Sequence, residues 1–574
     1  MDKQQAIDLV KETFESPFER GRFIKFVKNL LNEFDDEDAR INQGSRIPES
    51  FRDYVEKFER VGKYTTEDKQ IMLFIVHLKK EASIERARTM QRNLISWYLT
   101  HGSESKDAAL VAFVSPNGDD WRFSLVKLDV RLEADGKGGM KVVDEFTPAK
   151  RWSFLVGSHE KSHTAQRQFQ PILADDENNP TLEKLEAAFN IEKVTDEFFK
   201  EYRRLFIETK EALDKAVKGN PATKSDFESK GIDAVNLAKK LLGQIIFLYY
   251  LQKKGWFGVP RDGAWGEGSK NFLRDLFAKR RDNENFFNDI LEHLFYDALR
   301  NDRSHDDHYY GRFNCKIPFL NGGLFDPMNN YDWVKTDILL PSELFSNKNK
   351  TKEGDEGDGI LDVFDRYNFT VKEDEPFEKE VAIDPELLGK AYEKFNAIRP
   401  DNYEEFLKAL KSGKKGEESK FNKQYGVYYT PREIVHYMCR QSLINFLYSE
   451  LNPEAISRLT DGSDPKEIAS LDVSRLARND MPTKEAIALL IEHGESLREH
   501  EAQAAEKETK TYSPVIHESI RKNAVLIDRK LADIKICDPA VGSGAFPVGM
   551  MSEIVRAREV LKTWTIHDAL VDCA

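Results

Sequence analysis

The stretch from Ala532 to Phe546 reads ADIKICDPAVGSGAF and holds the residues best suited to chemistry. Ile534–Cys537 is a short apolar run of strand character. Asp538 follows at its carboxyl end, where ligands of open parallel α/β sheets bind. Gly542 and Gly544 carry no side chains, so a ligand can approach the backbone there. A helix expected to start near Ala545 would present free amide groups at its amino end. The spacing excludes two common nucleotide sites. A dinucleotide fingerprint needs glycine where Pro547 stands, and a phosphate loop read from Gly544 needs lysine where Met550 stands. The turn contains an aspartate and no basic residue, which suits a ligand with a cationic amino-acid end. S-adenosyl-L-methionine, with its ammonium and sulfonium groups, is such a ligand.

Upstream, Tyr425–Pro431 reads YGVYYTP, and Thr430-Pro431 stands before an amphipathic pattern, a good helix start signal. Asp538–Phe546 (DPAVGSGAF) resembles the first cofactor motif of amino-methylating DNA methyltransferases. YGVYYTP is similar to the segment that precedes that motif in their adenine-specific subgroup. The resemblance implies that Tyr429, Thr430 and Pro431 close over the methionine end of S-adenosyl-L-methionine. It also implies that Asp538, Ala540, Gly542, Ser543 and Gly544 form the cofactor turn. Four earlier strings, VTDEFFKEYRRLF (Val194–Phe206), FLYYLQKKGWFG (Phe247–Gly258), IPFLNGGLFD (Ile317–Asp326) and IDPELLGKAYEKF (Ile383–Phe395), resemble the helical connector of large type IIG restriction–modification enzymes. Those proteins fuse a nuclease, a connector, an adenine methyltransferase and a target-recognition domain. The implied activity is methyl transfer to adenine N6 in a specific sequence of double-stranded DNA, joined to endonuclease activity.

Several parts of that machinery are missing. Methylating an adenine amino group needs a flipped-out base, which the resembled family grips with Asn or Asp, two prolines and an aromatic. This chain has no Pro-Pro dipeptide, and after Leu561 it reads only KTWTIHDALVDCA. The acidic residue expected to hold the cofactor ribose is absent too. The chain alone is therefore expected not to methylate DNA, and a downstream polypeptide is expected to supply the remaining strands and target recognition. A non-catalytic DNA-binding or assembly subunit of a split complex is the alternative.

The elements that must position these residues fall into three expected regions. Residues 1–176 read as a mixed α/β, nuclease-like domain, 177–416 as a helical connector, and 417–574 as the start of a Rossmann-like methyltransferase domain. The fold class expected is thus α/β plus mainly α. In the first region Ile71–Leu78, Leu110–Val114, Arg122–Leu128 and Trp152–Val156 are strand candidates, with a hairpin turn at Pro116–Asp120 and a helix over Ile84–Leu99. Phe198–Lys218 and Val235–Lys254 carry apolar residues at helical spacing. At 574 residues the chain is too long for one core, and 40% hydrophobic with 32% charged residues is an ordinary globular balance. No apolar run approaches a membrane span or a signal peptide, so the cytoplasm is the expected compartment and no membrane partner is expected. The net charge of −14 leaves DNA binding undecided, because basic runs such as Lys279–Arg281, Lys408–Lys415 and Arg521–Lys530 persist. Cys315, Cys439, Cys537 and Cys573 are too scattered for a zinc site or a disulfide framework.

A nuclease in the first region would use magnesium held by an acidic residue and a Glu/Gln-x-Lys triplet on adjacent strands. The nearest match is His77-Leu78-Lys79, with Asp68 before it and Gln91 in the following helix. His305-Asp306-Asp307-His308 has metal-ligating residue types but reads as a solvated loop. Tyr249-Tyr250 and Tyr309-Tyr310 read as packing aromatics rather than base-stacking platforms.

Overall fold

The computed structural model describes residues 1–36, 39–66, 69–80, 84, 88–100, 106–128, 132–134, 140–142, 149–175, 177, 179–320, 322–351, 354–370, 378–386, 389, 395–411, 421, 424–425, 430–452, 481–506, 516–541 and 544–571. The chain divides into two compact units, Met1–Asp129 with Ala149–Val427, and Val130–Pro148 with Tyr428–Ala574.

The first unit is built on a mixed sheet of seven described strands: β1 (Arg40–Gln43), β2 (Val55–Thr66), β3 (Lys69–Leu78), β4 (Ala108–Val114), β5 (Asp120–Lys127), β6 (Lys150–Gly157) and β7 (Glu378–Glu380). They lie side by side in chain order. Neighbours are antiparallel except β3 with β4 and β6 with β7, which are parallel. β3 and β4 are nearly continuous apolar runs because both faces of the sheet are covered. Ile71, Leu73 and Ile75 point into one core, while Met72, Phe74, Val76 and Leu78 point into the other. Helices α1 (Lys3–Phe14) and α2 (Arg20–Leu31) lie on the first face, and α3 (Arg88–Thr100) lies on the second. A capping box between Asp2 and Gln5 starts α1.

The first core continues without a break through α4 (His163–Leu173), α5 (Leu182–Ala188), α6 (Ile191–Gly219) and α7 (Ala234–Lys253). The regions 1–176 and 177–416 read from the sequence thus share one core. They also share the sheet, since β7 comes from the second region. The helix expected over Val235–Lys254 is α7, buried around most of its circumference.

Charge ties β7 to the sheet. On the α3 face, Arg151 Nη2 donates to Glu378 Oε2 at 2.6 Å, and Arg122 Nη1 to Glu380 Oε2 at 3.0 Å. Arg88 also pairs with Glu380, and Arg92 Nη1 lies 3.9 Å from Glu378 Oε1. Arg122, Arg151, Glu378 and Glu380 are all buried. Burial alone would raise the Glu380 carboxyl, but the Arg122 and Arg88 guanidiniums overcome it and hold its pKa at about 2. Burial likewise lowers Arg151 to about 10.

The second unit is helical: α8 (Arg432–Leu451), α9 (Lys484–Glu506), α10 (Ala524–Ala532) and α11 (Ala545–Val571). A small two-stranded ribbon, Leu132–Ala134 with Met140–Val142, belongs to it. Leu443, Leu447, Ile487, Leu490, Ile527, Val560 and Leu561 form its core. The strand expected at Ile534–Cys537 does not form. That segment makes no ladder, and Ile536 and Cys537 are exposed. A strand needs a neighbour to satisfy its backbone, and no described strand pairs with this one.

The Glu380 pairing makes the first unit sensitive to acid. A carboxyl whose folded pKa is depressed adds stability above its unfolded value of 4.5, and loses it as pH falls toward 2. Urea unfolding followed across that window should show the loss, and Glu380→Gln should flatten it. Glu380→Ala, which removes the carboxylate from Arg122 and Arg88, should cost roughly 3–5 kcal/mol. An unchanged urea midpoint would contradict this.

Candidate functional site

The amino ends of α8 and α11 carry the two motif segments. Pro431 stands at the cap position of α8 with extended backbone, and its carbonyl accepts from the Ile434 and Val435 amides at 3.0 and 3.1 Å. Thr430, immediately before, is half-buried. Tyr429, Gly542 and Ser543 lie outside the described residues. At the other segment, the Ala540 amide donates to Asp538 Oδ1 at 3.0 Å, which folds the chain back on itself. The Gly544 amide then donates to the Val541 carbonyl at 2.8 Å, and the Gly544 carbonyl accepts from Val548 as α11 begins. Gly544 has φ of +84°, which side chains disfavour. The helix expected to start near Ala545 is present.

The two helices meet at a close crossing. A Cβ added to Gly549 would lie 2.7 Å from Val435 Cγ1, so only glycine permits this approach. Cys439 Sγ lies 3.8 Å from the Phe546 carbonyl oxygen. One turn further along α11, and beside the residues that follow Val435 and Cys439 in α8, Glu553 Oε1 sits 2.6 Å from His436 Nδ1, 3.1 Å from Arg440 Nε and 3.3 Å from Arg556 Nη1. Glu553 is 1% exposed. Burial pushes its carboxyl up, but the hydrogen bonds to His436 and Arg440 win and its pKa is lowered. The sequence reading missed this group. Its signal was a glutamate inside the apolar run that follows the turn, facing a His/Arg pair spaced i, i+4.

Asp538 tests whether a cationic ligand fits. Its Oδ1 is used by the turn, whereas Oδ2 is shielded from water and has no hydrogen-bond partner among the described residues. A buried carboxylate oxygen left this way is costly unless a donor or cation reaches it. The residues present therefore suit a ligand with an ammonium or sulfonium group.

The nuclease candidates do not assemble. Asp68 lies outside the described residues. His77 faces the α1 and α2 side of the sheet, where its ring lies edge-on to Phe18 with centroids 6.1 Å apart. Burial, then the neighbouring Lys57, lowers its pKa. Lys79 turns its ammonium to the Arg52 carbonyl. Gln91 lies on the opposite face, buried in α3, where it accepts from Arg151 Nη1 at 2.6 Å. The sheet separates the two side chains, because strand alternation turns His77 to one face while Gln91 is carried by α3 on the other.

The other tempting groups are structural. Asp306 pairs with Arg261 at 2.5 Å, and Asp307 pairs with Lys316. Tyr249 donates to Asp365 Oδ1 at 2.7 Å, Tyr250 to the Asp384 carbonyl at 2.8 Å, and Tyr310 to Asp297 Oδ2 at 2.8 Å. Among the described residues no group of three or more His, Cys, Asp or Glu could hold a metal ion, so the expected magnesium finds no cage there. Likewise no described helix is long and apolar enough to cross a membrane.

Because Lys79 only supports a loop carbonyl, Lys79→Ala is expected to cost about 1 kcal/mol of stability and to leave any DNA cleavage by a complete assembly unchanged. Loss of cutting in a plasmid-nicking assay, with the melting temperature intact, would return Lys79 to the active site.

No protein-family model matches the chain, and no solved structure matches it. One curated protein does. It comes from Methanocaldococcus jannaschii and is provisionally named a type II restriction enzyme and methyltransferase. It is 25% identical to this chain over 388 residues, which takes in 64% of this chain and 26% of the relative. The chain thus spans about a quarter of the protein to which it is similar.

Proposed function

We propose that this chain is part of a restriction–modification protein and that it holds S-adenosyl-L-methionine for methyl transfer to adenine N6 in double-stranded DNA. The observation that carries this reading is the Asp538–Gly544 turn. It combines an orphaned carboxylate oxygen, a left-handed glycine and a helix start, beside the helix that Thr430-Pro431 opens. Asp538 Oδ2 would receive the ammonium end of the cofactor. Gly542, Ser543 and Gly544, with Ala540, would let it approach the backbone, and Tyr429, Thr430 and Pro431 would cover it. The bound cofactor supplies the electrophilic methyl group. The similarity to the archaeal protein supports the general class, and adenine is taken from the motif resemblance.

The exposed surfaces of α8 and α11 bear on the rest of the machinery. Ile434, Tyr437 and Met438 form one apolar stripe, and Val548, Met551 and Val555 form another; all six are exposed. Such stripes belong against a sheet, because a parallel sheet is covered by helices on both faces. We therefore assign Ile534–Cys537 as a strand that pairs only when further strands, from a partner polypeptide or another segment, are present. The same stripes favour the second reading, an assembly subunit whose partner carries the catalytic motif.

Calorimetry on the purified chain tests the reading. S-adenosyl-L-methionine should bind, and Asp538→Ala should weaken it by about tenfold or more, near the 1.4 kcal/mol of one lost charge-assisted contact. Gly544→Leu should abolish binding with the helical circular dichroism retained. Equal affinity in both variants would overturn the site, and absence of binding to the chain even with its missing strands supplied would leave the assembly reading.

A further inference from the structure

Glu553 lies about two turns past Ala545, too far along α11 to touch a ligand seated at the turn. It nevertheless sits at the point where α8 and α11 are fixed to each other. Its carboxylate is buried between His436 and Arg440 from α8 and Arg556 from its own helix. Above it the helices approach so closely that Gly549 has no room for a Cβ against Val435. The crossing fixes how α8, which Pro431 caps, and α11, which follows the Gly544 turn, are oriented to each other.

We propose that Glu553 is a positioning residue for the cofactor turn, acting through His436 and Arg440 to fix α11, and with it the turn before it, against α8. This rests on the S-adenosyl-L-methionine reading above. The chemistry favours such a role over simple stabilisation. A buried ion group contributes little net stability compared with apolar side chains of the same size, but its hydrogen bonds allow one geometry only. Leucine or methionine pairs could glue the helices; a hydrogen bond with His436 and the Arg440 ion pair, both on one carboxylate, fix their register. Neighbouring contacts agree with this division of labour. Further down, α11 is held to α10 by the half-exposed Arg558–Asp528 pair, 2.7 Å apart, at a point remote from both helix starts.

The test compares those two ion pairs in the full chain. Calorimetric affinity for S-adenosyl-L-methionine and thermal melting are measured for the wild type, Glu553→Gln, Glu553→Ala and Asp528→Asn. Positioning predicts that Glu553→Gln, of nearly equal volume, binds about tenfold more weakly or worse while melting close to the wild type. Asp528→Asn should bind normally. A merely structural role predicts that affinity follows melting temperature in all variants, and that result overturns the proposal. If Glu553→Ala does not fold, Glu553→Gln and Arg440→Gln decide alone, and unchanged affinity in both overturns it. A wild type that does not bind S-adenosyl-L-methionine even with the further strands supplied removes the reading itself and this inference with it. A wild type that binds, with Glu553→Gln equal to it, removes only the inference.

Discussion

A carboxylate taken out of water must find cations, and in each unit of this chain that requirement decides which distant segments meet. Glu378 and Glu380 stand far along the sequence from the sheet that receives them. Arg122 and Arg151 are already buried on that sheet, and they would be intolerable there without acidic partners. The described part of the strand they recruit is Glu378–Glu380, and both of its glutamates meet arginines. In the second unit Glu553 plays the corresponding part between α8 and α11. In both cases apolar packing supplies the bulk of the free energy and the ion group selects the register.

That division explains what was legible in the sequence. Strands β3 to β6 were visible because their apolar runs and the Pro116–Asp120 turn are local signals, and the pairing of β4 with β5 follows from the turn. Helices α6, α7 and α8 were visible from spacing and caps. β2 was not. Val55, Phe58 and Val61 recur every third residue and imitate a helix, because irregularities between Val55 and Lys57 and between Arg60 and Gly62 break the alternation of the strand. Gly62 marks the second of these, where a Cβ would lie 2.2 Å from the Asp35 carbonyl. β7 was invisible because nothing in Glu-Lys-Glu indicates a strand without the arginines across from it.

The candidate site shows the same limit. The turn at Asp538–Gly544 and the helix start at Thr430-Pro431 were readable as motifs, since backbone conformation and capping are local. The triplet around His77 was misread for a topological reason. A motif search treats His77 and Gln91 as neighbours, but a strand and its crossover helix place them on opposite faces of the sheet. Glu553 escaped notice because its importance lies in what faces it, which no single segment discloses. The strand expected before Asp538 failed in a different way: its sequence has strand character, but no described strand borders it.

The central claim is that the Thr430-Pro431 cap and the Asp538–Gly544 turn are two sides of one S-adenosyl-L-methionine site. Ultraviolet cross-linking of methyl-labelled cofactor to the purified protein, followed by peptide mapping, addresses it directly. The label should be found in peptides that contain Tyr429–Pro431 and Asp538–Phe546, and excess unlabelled cofactor should suppress it. Label confined to the sheet-bearing unit, or label that excess cofactor does not suppress, would contradict the claim.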